Sequence, residues 1–175
     1  MLNIESVCSD LTLWLRQKFP AQLQTVVARV GTHIPLSPPK HTSYYLGEWN
    51  RFTPYELPAV FIIPTRSTLN YLGRDAGANI DKWQHQILLD YLVEERTEGS
   101  LTSACFRMAE AAYACLHDQD ITATGVTSRA TKVFVAQVDY GPMIANRAAP
   151  EQRFFRKDVF FTLNVLHYDQ SPPVG

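Results

Sequence analysis

The sequence predicts an α+β domain. We expect an antiparallel sheet of about four strands, one or two helices packed on one of its faces, and an extended arm rich in proline and aromatic residues. Three observations predict this. Two long segments, 82–95 and 153–168, alternate apolar and polar residues with a period of two, as strands with one covered face do. Between them, 100–117 carries apolar residues at helical spacing. A helical pattern also opens the chain, before any strand pattern appears. Runs of strands with segregated helices suit an α+β layer arrangement, not a doubly wound one.

Residues 3–19 place Ile4, Val7, Cys8, Leu11, Leu15 and Phe19 on one helical stripe, with Asn3 as a cap and Pro20 as a stop. Leu13 and Trp14 fall off that stripe. Residues 22–30 are rich in β-branched side chains and suit a strand. Segment 31–56 combines Pro35, Pro38, Pro39 and Pro54 with Tyr44, Tyr45, Trp49, Phe52 and Tyr55. Those prolines deny ladder donors, while the aromatic residues call for burial, so the segment is expected to lie as an arm over its own domain or over a neighbour. Residues 58–64 form a short apolar strand between prolines. Segment 65–81 holds two glycines, two asparagines and two aspartates and is expected to be a long loop.

In 82–95, Trp83, Ile87, Leu89, Tyr91 and Val93 share one face, with Gln84, Gln86, Asp90 and Glu94 on the other. The following helix sets Leu101, Cys105, Met108, Ala112 and Cys115 or Leu116 inward, with Ser100 as its cap. A polar connection follows, with room for a short strand near Thr122–Val126, and then a strand over 131–140. Residues 141–152 are expected to be irregular. The last strand turns Val159, Phe161, Leu163 and Val165 inward and Asp158, Thr162 and Asn164 outward. Residues 169–175 are expected to be loose, and the whole of 1–175 to be a single domain.

Composition limits the function classes. The chain has 175 residues, 46% hydrophobic and 19% charged, so it can bury a real core. A net charge of −1 predicts no general attraction to duplex DNA. Cys8, Cys105 and Cys115 have no metal or redox spacing; Cys105 and Cys115 fall on one helix, roughly 15 Å apart. We read all three as buried thiols in a reducing compartment. The N-terminus lacks a basic region followed by an apolar stretch, and no apolar run has the length of a membrane span, so no membrane association is expected.

Catalytic signatures are missing from the sequence. There is no GxSxG, HExxH, GxxxxGK[ST] or CxxC pattern. The string Gly73–Gly77 lacks the lysine of a phosphate loop and reads as a loop tip. The five histidines share no metal-ligand spacing, and His117, Asp118 and Asp120 read as a helix end. Adjacent Glu94 and Glu95 point to opposite faces of a strand and make no carboxylate pair. No catalytic, cofactor-binding or metal-binding residue is assigned. The candidate surface consists of Arg66, Leu69, Tyr71 and Arg74 in one polar loop, Met143, Ile144 and Arg147 in the other, and Arg153 and Arg156 at the start of the last strand. Solvated charge is the plain reading of these arginines; subunit contact, where guanidinium forks meet carboxylates, is the functional one.

From Leu57 onward the order of features resembles the phage tail-terminator (tail-completion) proteins. The strings that carry it are Leu57-Pro58-Ala59-Val60, the strand from Trp83 to Asp90, the Ala-rich helix around Arg107–Ala112, Val138-Asp139-Tyr140-Gly141-Pro142, and Lys157-Asp158-Val159-Phe160-Phe161. This resemblance implies a structural virion protein: a homohexameric ring, closed head to tail, that ends the tail tube and offers a surface to the neck or connector proteins. It implies partners in the tail-tube protein and the neck, and genomic DNA passing through the lumen without sequence-specific binding. The protein would reside in the virion, at the head-proximal end of the tail, after assembly in the host cytoplasm. Segment 31–56 departs from the simplest members of the family. The alternatives are another head–tail connector, such as a neck or head-completion adaptor, a small α+β enzyme with an unrecognised site, and a binder that uses the aromatic 44–55 segment.

Overall fold

The computed structural model describes residues 4–30, 36–48, 55–75, 78–121, 131–146 and 154–171, and their side chains except at 70–75, 78–81, 146 and 168–171. In chain order the elements are α1 (Ile4–Val30), β1 (Tyr44–Leu46), β2 (Ala59–Asp75), β3 (Ala78–Glu95), α2 (Glu98–Leu116), β4 (Gln119–Ile121), β5 (Thr131–Tyr140), β6 (Ile144–Asn146) and β7 (Phe154–Ser171).

The α+β class holds, but the sheet is larger than the four antiparallel strands expected and is mixed. Among the described residues it has seven strands, in the order β1-β2-β3-β7-β5-β4, with β6 also paired to β7. β1 runs parallel to β2, and the other pairs are antiparallel. The extra strands β1, β4 and β6 have three residues each. Strands that short carry too little period-two pattern to read from sequence.

α1 corrects two expectations. It does not stop at Pro20 but runs to Val30, so 22–30 is helix and not strand. The apolar stripe continues through Phe19, Leu23 and Val26, each at most 5% exposed. A proline inside a helix costs roughly 3 kcal/mol, whereas fully burying one Leu or Val contributes roughly 1.5–3 kcal/mol. Two such side chains beyond Pro20 therefore outweigh it. Pro20→Ala is expected to stabilise the protein by roughly 2 kcal/mol, the helix gain less the extra freedom of the unfolded chain. Urea unfolding measures it; an unchanged or lower midpoint would mean that the ring contributes packing of its own.

Of segment 65–81, expected as a loop, residues 65–75 and 78–81 instead belong to β2 and β3. β2 and β3 pair from Ala59↔Leu92 to Asp75↔Ala78, with register shifts at Pro64/Arg66 and Tyr71/Arg74. Its Gly, Asn and Asp residues carry weak local signals, and pairing to β3 and on to β7 overrides them. Within 141–152, expected to be irregular, residues 144–146 form β6. β7 extends to Ser171, so 169–171 belongs to the sheet. The strand expected near Thr122–Val126 and the cap at Asn3 lie outside the described residues.

Both helices cover one face. Their stripes meet Val60, Ile62, Ile87, Leu89, Tyr91, Val93, Val159, Phe161, Leu163 and Val165 in one continuous core. Trp14, off the α1 stripe, reaches α2 and donates from Nε1 to the Cys115 carbonyl at 2.8 Å, while Leu13 is exposed. α2 is capped by Thr97, whose hydroxyl accepts from the Ser100 amide, so the cap lies three residues before the one expected. The three cysteines are buried and unbridged, as the sequence predicts. Burial pushes their thiols up, to about 11 for Cys8 and Cys105 and about 12 for Cys115, so they stay protonated and inert.

The opposite face carries a smaller cluster, Ala59, Phe61 and Leu92, roofed by Tyr45, Tyr55, Leu57 and Ile63. Tyr45, Tyr55 and Phe61 form a triangle of rings with centroids 4.9–5.2 Å apart. Here part of the aromatic arm closes on its own domain, one of the two positions the sequence allowed.

Candidate functional site

The candidate contact residues separate into two groups. Arg66 and Leu69 lie on the distal part of β2, both exposed, and Tyr71 and Arg74 continue that strand. Met143 and Ile144 lie at the other edge, 42% and 50% exposed. Ile144 pairs with Arg156 across β6 and β7, and the Arg156 guanidinium is held by Glu94. Arg147 and Arg153 lie outside the described residues. Arg66 pairs with Gln86 and Arg156 with Glu94, eight positions apart on β3; at strand spacing this is roughly 27 Å. The structure thus brings Met143, Ile144 and Arg156 together and keeps Arg66 and Leu69 away from them.

Around Arg66 the sheet forms an open polar trough of about 290 Å³ lined by Thr68, Gln84, Gln86 and Asn164. Among the described residues its lining offers three side-chain amides, one hydroxyl and one guanidinium, and no pair of groups suited to proton transfer or nucleophilic attack. The polar residues line one sheet face because they alternate with inward positions such as His85, Ile87 and Leu163.

Two polar clusters escaped the sequence reading. Asp90 and Asp158, expected to point outward into solvent, do lie on the face away from the helices, but they are 2% and 7% exposed. The register sets them diagonally: Asp90 pairs with Phe160, and Asp158 with Leu92. The smaller apolar cluster beside them removes the water that the alternation rule assumes. Burial, then the neighbouring Asp158, pushes Asp90 from 3.8 to about 7; burial also raises Asp158. Gly141 fits this corner because it lacks a side chain. Its amide donates to the Asp158 carbonyl at 2.9 Å, and an added Cβ would stand 3.1 Å from Phe160 Cε2 and 3.2 Å from Asp158 Cβ.

The second cluster is on the helix side, where the core gives way to the distal hairpin. His85 and His167 are 0% and 2% exposed, with ring centroids 6.4 Å apart. His85 Nδ1 meets the Ser67 hydroxyl at 2.9 Å, and His167 Nδ1 meets that of Thr131 at 3.0 Å. Burial, then the second imidazole, lowers His85 from 6.5 to about 4, so it is neutral at physiological pH. Among the described residues no group of three or more His, Cys, Asp or Glu is placed to hold a metal. No described helix is long and apolar enough to cross a membrane.

Exposed apolar residues form a third feature. Phe106 on α2, 55% exposed, meets Tyr140 at the end of β5 edge to face, centroids 5.4 Å apart. Phe106 falls off the stripe of Leu101, Cys105, Met108 and Ala112, which is the signal in the sequence that could have marked it. Leu46, 57% exposed, stands on β1 at the opposite edge of the sheet.

No family model matches this chain, and no curated protein is similar to it at significance. Among solved structures, a chain described as "Virion of native gene transfer agent (GTA) particle" is similar at a TM-score of 0.36 and 12% identity, over 87% of this chain and 94% of that one. A TM-score of this size is too low to establish a common fold.

Proposed function

We propose that this protein is a structural virion component, a ring subunit that ends a phage tail tube and joins it to the neck. The observation that carries the reading is a sheet that outruns its own core. β2, β3 and β7 have 17, 18 and 18 residues, whereas the buried apolar residues of β2 end at Ile62 and those of β3 begin at Ile87. Beyond them β2, β3 and β7 run on together as a three-stranded end of the sheet, on which Arg66, Thr68 and Leu69 are exposed. Strands need an apolar face or a packed layer to be stable, and assembly on a partner would supply one for this end of the sheet. The order of elements from Leu57 onward, resembling the tail-terminator pattern, supports the same reading.

The enzyme alternative is weaker on chemical grounds. The carboxyl pair with the most perturbed titration, Asp90 and Asp158, is packed beneath side chains, and neither lines the polar trough. The proposal is a protein that turns over no substrate and acts by association with itself, the tube and the neck.

Phage particles lacking this protein are expected to carry tails of abnormal length or tails that fail to join heads, as counted by electron microscopy. Tails of normal length on filled, joined heads would refute the assignment. Normal tail length with failed joining would favour the head–tail connector reading.

A further inference from the structure

We infer that residues 55–58 form a lid over the buried carboxyl pair Asp90–Asp158, and that loss of a proton from the pair drives this lid open. The inference stands apart from the ring reading and survives its failure.

Asp90 and Asp158 stand on neighbouring strands, β3 and β7, on the face away from the helices. Their diagonal register sets them roughly 7–8 Å apart. Both are more than nine-tenths buried, and Oδ1 of each receives no hydrogen bond from any described group. Two carboxylates so placed cannot both stay ionised without a large cost, so the closed structure keeps a proton on the pair. The surrounding groups do not offset the charge. On the same face of β3 and β7, Glu94 and Arg156 hold one another. On β5, Asp139 stands across from Phe160 and accepts from the Gln137 side-chain amide. On β2 the cross-strand neighbour of Asp90 is Phe61, which carries no charge. From the arm come the phenols of Tyr45 and Tyr55, and Glu56, which pairs with Lys40.

The cover over the pair has one weak part. Toward β5 it is backbone: the Gly141 amide bonds the Asp158 carbonyl, at a point with no room for a Cβ. Toward β2 it is Phe61, on which Tyr45 and Tyr55 rest. Tyr45 belongs to β1, which pairs with β2 and is anchored through the sheet by Tyr44, buried in the main core. Residues 55–58 precede β2 and belong to no strand. Tyr55 and Leu57 are half-buried and pack on Ala59, Phe61 and Leu92. A segment held by side-chain contacts and without a ladder opens at the lowest cost. Lifting it admits water to Asp90, which then ionises as an ordinary carboxyl. Closed, Asp90 titrates at about 7 against 3.8. Closure is therefore favoured fully below 3.8, and that advantage is lost as pH rises to about 7. The open fraction grows through this window and levels off above it. His85 lies on the other face, so its opposite titration acts on global unfolding and not on the lid.

The test places a thiol beneath the lid by Leu92→Cys in the full-length chain, since Leu92 is 3% exposed and next but one to Asp90. Labelling with dithiodipyridine is followed from about pH 4 to about pH 8.5, each rate divided by that of the same chain unfolded in urea. Cys105, buried on the helix side, is the internal reference for global unfolding. The introduced thiol is expected to label faster than Cys105. Its protection should fall by up to about tenfold per pH unit between about pH 4 and pH 7, then level off. Adding Asp90→Asn should remove the slope. Adding Asp158→Asn, which takes away the neighbouring charge, should move the levelling to lower pH. Adding Tyr55→Ala should raise labelling at every pH and keep the slope. Protection that does not change with pH overturns the inference, and that result needs neither aspartate variant to fold. So does a slope that persists in Asp90→Asn, or labelling equal to that of Cys105 throughout, which would mean that the site opens only when the whole domain unfolds. Labelling unchanged by Tyr55→Ala would overturn residues 55–58 as the lid.

Discussion

Phe161→Ala is expected to destabilise the protein by roughly 3–5 kcal/mol, the range for deleting a fully buried aromatic ring. Phe161 is 0% exposed and lies at the centre of β7. Its ring meets Tyr91 of β3 edge to face at 5.5 Å, and Tyr91 meets Phe19 of α1 at 5.4 Å. The three rings tie the first helix to the middle of the sheet across elements far apart in sequence. Removing the last of them leaves a cavity that two long strands cannot close by local adjustment. Small domains have a total stability of roughly 5–15 kcal/mol, so the loss would be a large share of it. Urea unfolding of Phe161→Ala beside the exposed Phe106→Ala measures the difference; the second is expected to stay within about 0.5 kcal/mol of wild type. Equal losses in the two variants would show that the core is not organised around these rings.

Between about pH 4 and pH 7, Asp90→Asn and His85→Gln are expected to tilt the stability profile in opposite directions. Asp90 has a folded pKa of about 7 against an ordinary 3.8. A raised pKa contributes stability that is fully present below 3.8 and is lost as pH rises through about 7. His85 has a folded pKa of about 4 against 6.5. A lowered pKa contributes stability that is present above 6.5 and is lost as pH falls through about 4. The two slopes oppose each other in the wild-type chain over the shared window. Asp90→Asn removes the falling slope, so its stability relative to wild type should rise with pH, by at most roughly 4 kcal/mol at about 1.4 kcal/mol per pH unit. His85→Gln removes the rising slope and should lose ground to wild type as pH rises, by at most roughly 3 kcal/mol. Urea midpoints at pH 4, 5.5 and 8 test both. A constant offset between Asp90→Asn and wild type at all three would mean that the carboxyl is solvated.

The sequence by itself determined the covered face of the sheet and the helix that covers it. Ile87, Leu89, Tyr91 and Val93 alternate strictly, as do Val159, Phe161, Leu163 and Val165, and all are buried where that alternation places them. α2 keeps its stripe because 3.6-residue spacing is a local property. Thr131–Tyr140 was legible for the same reason. Arg66 and Ile144 were legible as surface, since each lies outside any apolar pattern, and both are exposed.

Tertiary structure alone decided the rest. Pro20 stops a helix only if nothing beyond it is worth burying, and Leu23 and Val26 are buried by the sheet and α2. Asn70 and Asn79 favour turns locally, yet the pairing of β2 with β3 places both in the ladder. Asp90 and Asp158 obey the period-two rule for direction, but whether their face meets water depends on Tyr45, Tyr55 and Phe61, brought in from distant parts of the chain. The two edges of the sheet, and with them the contact of Phe106 on Tyr140 and the exposure of Leu46, exist only once the strand order is set. Strand order is a matter of long-range pairing, which no local spacing of residues encodes.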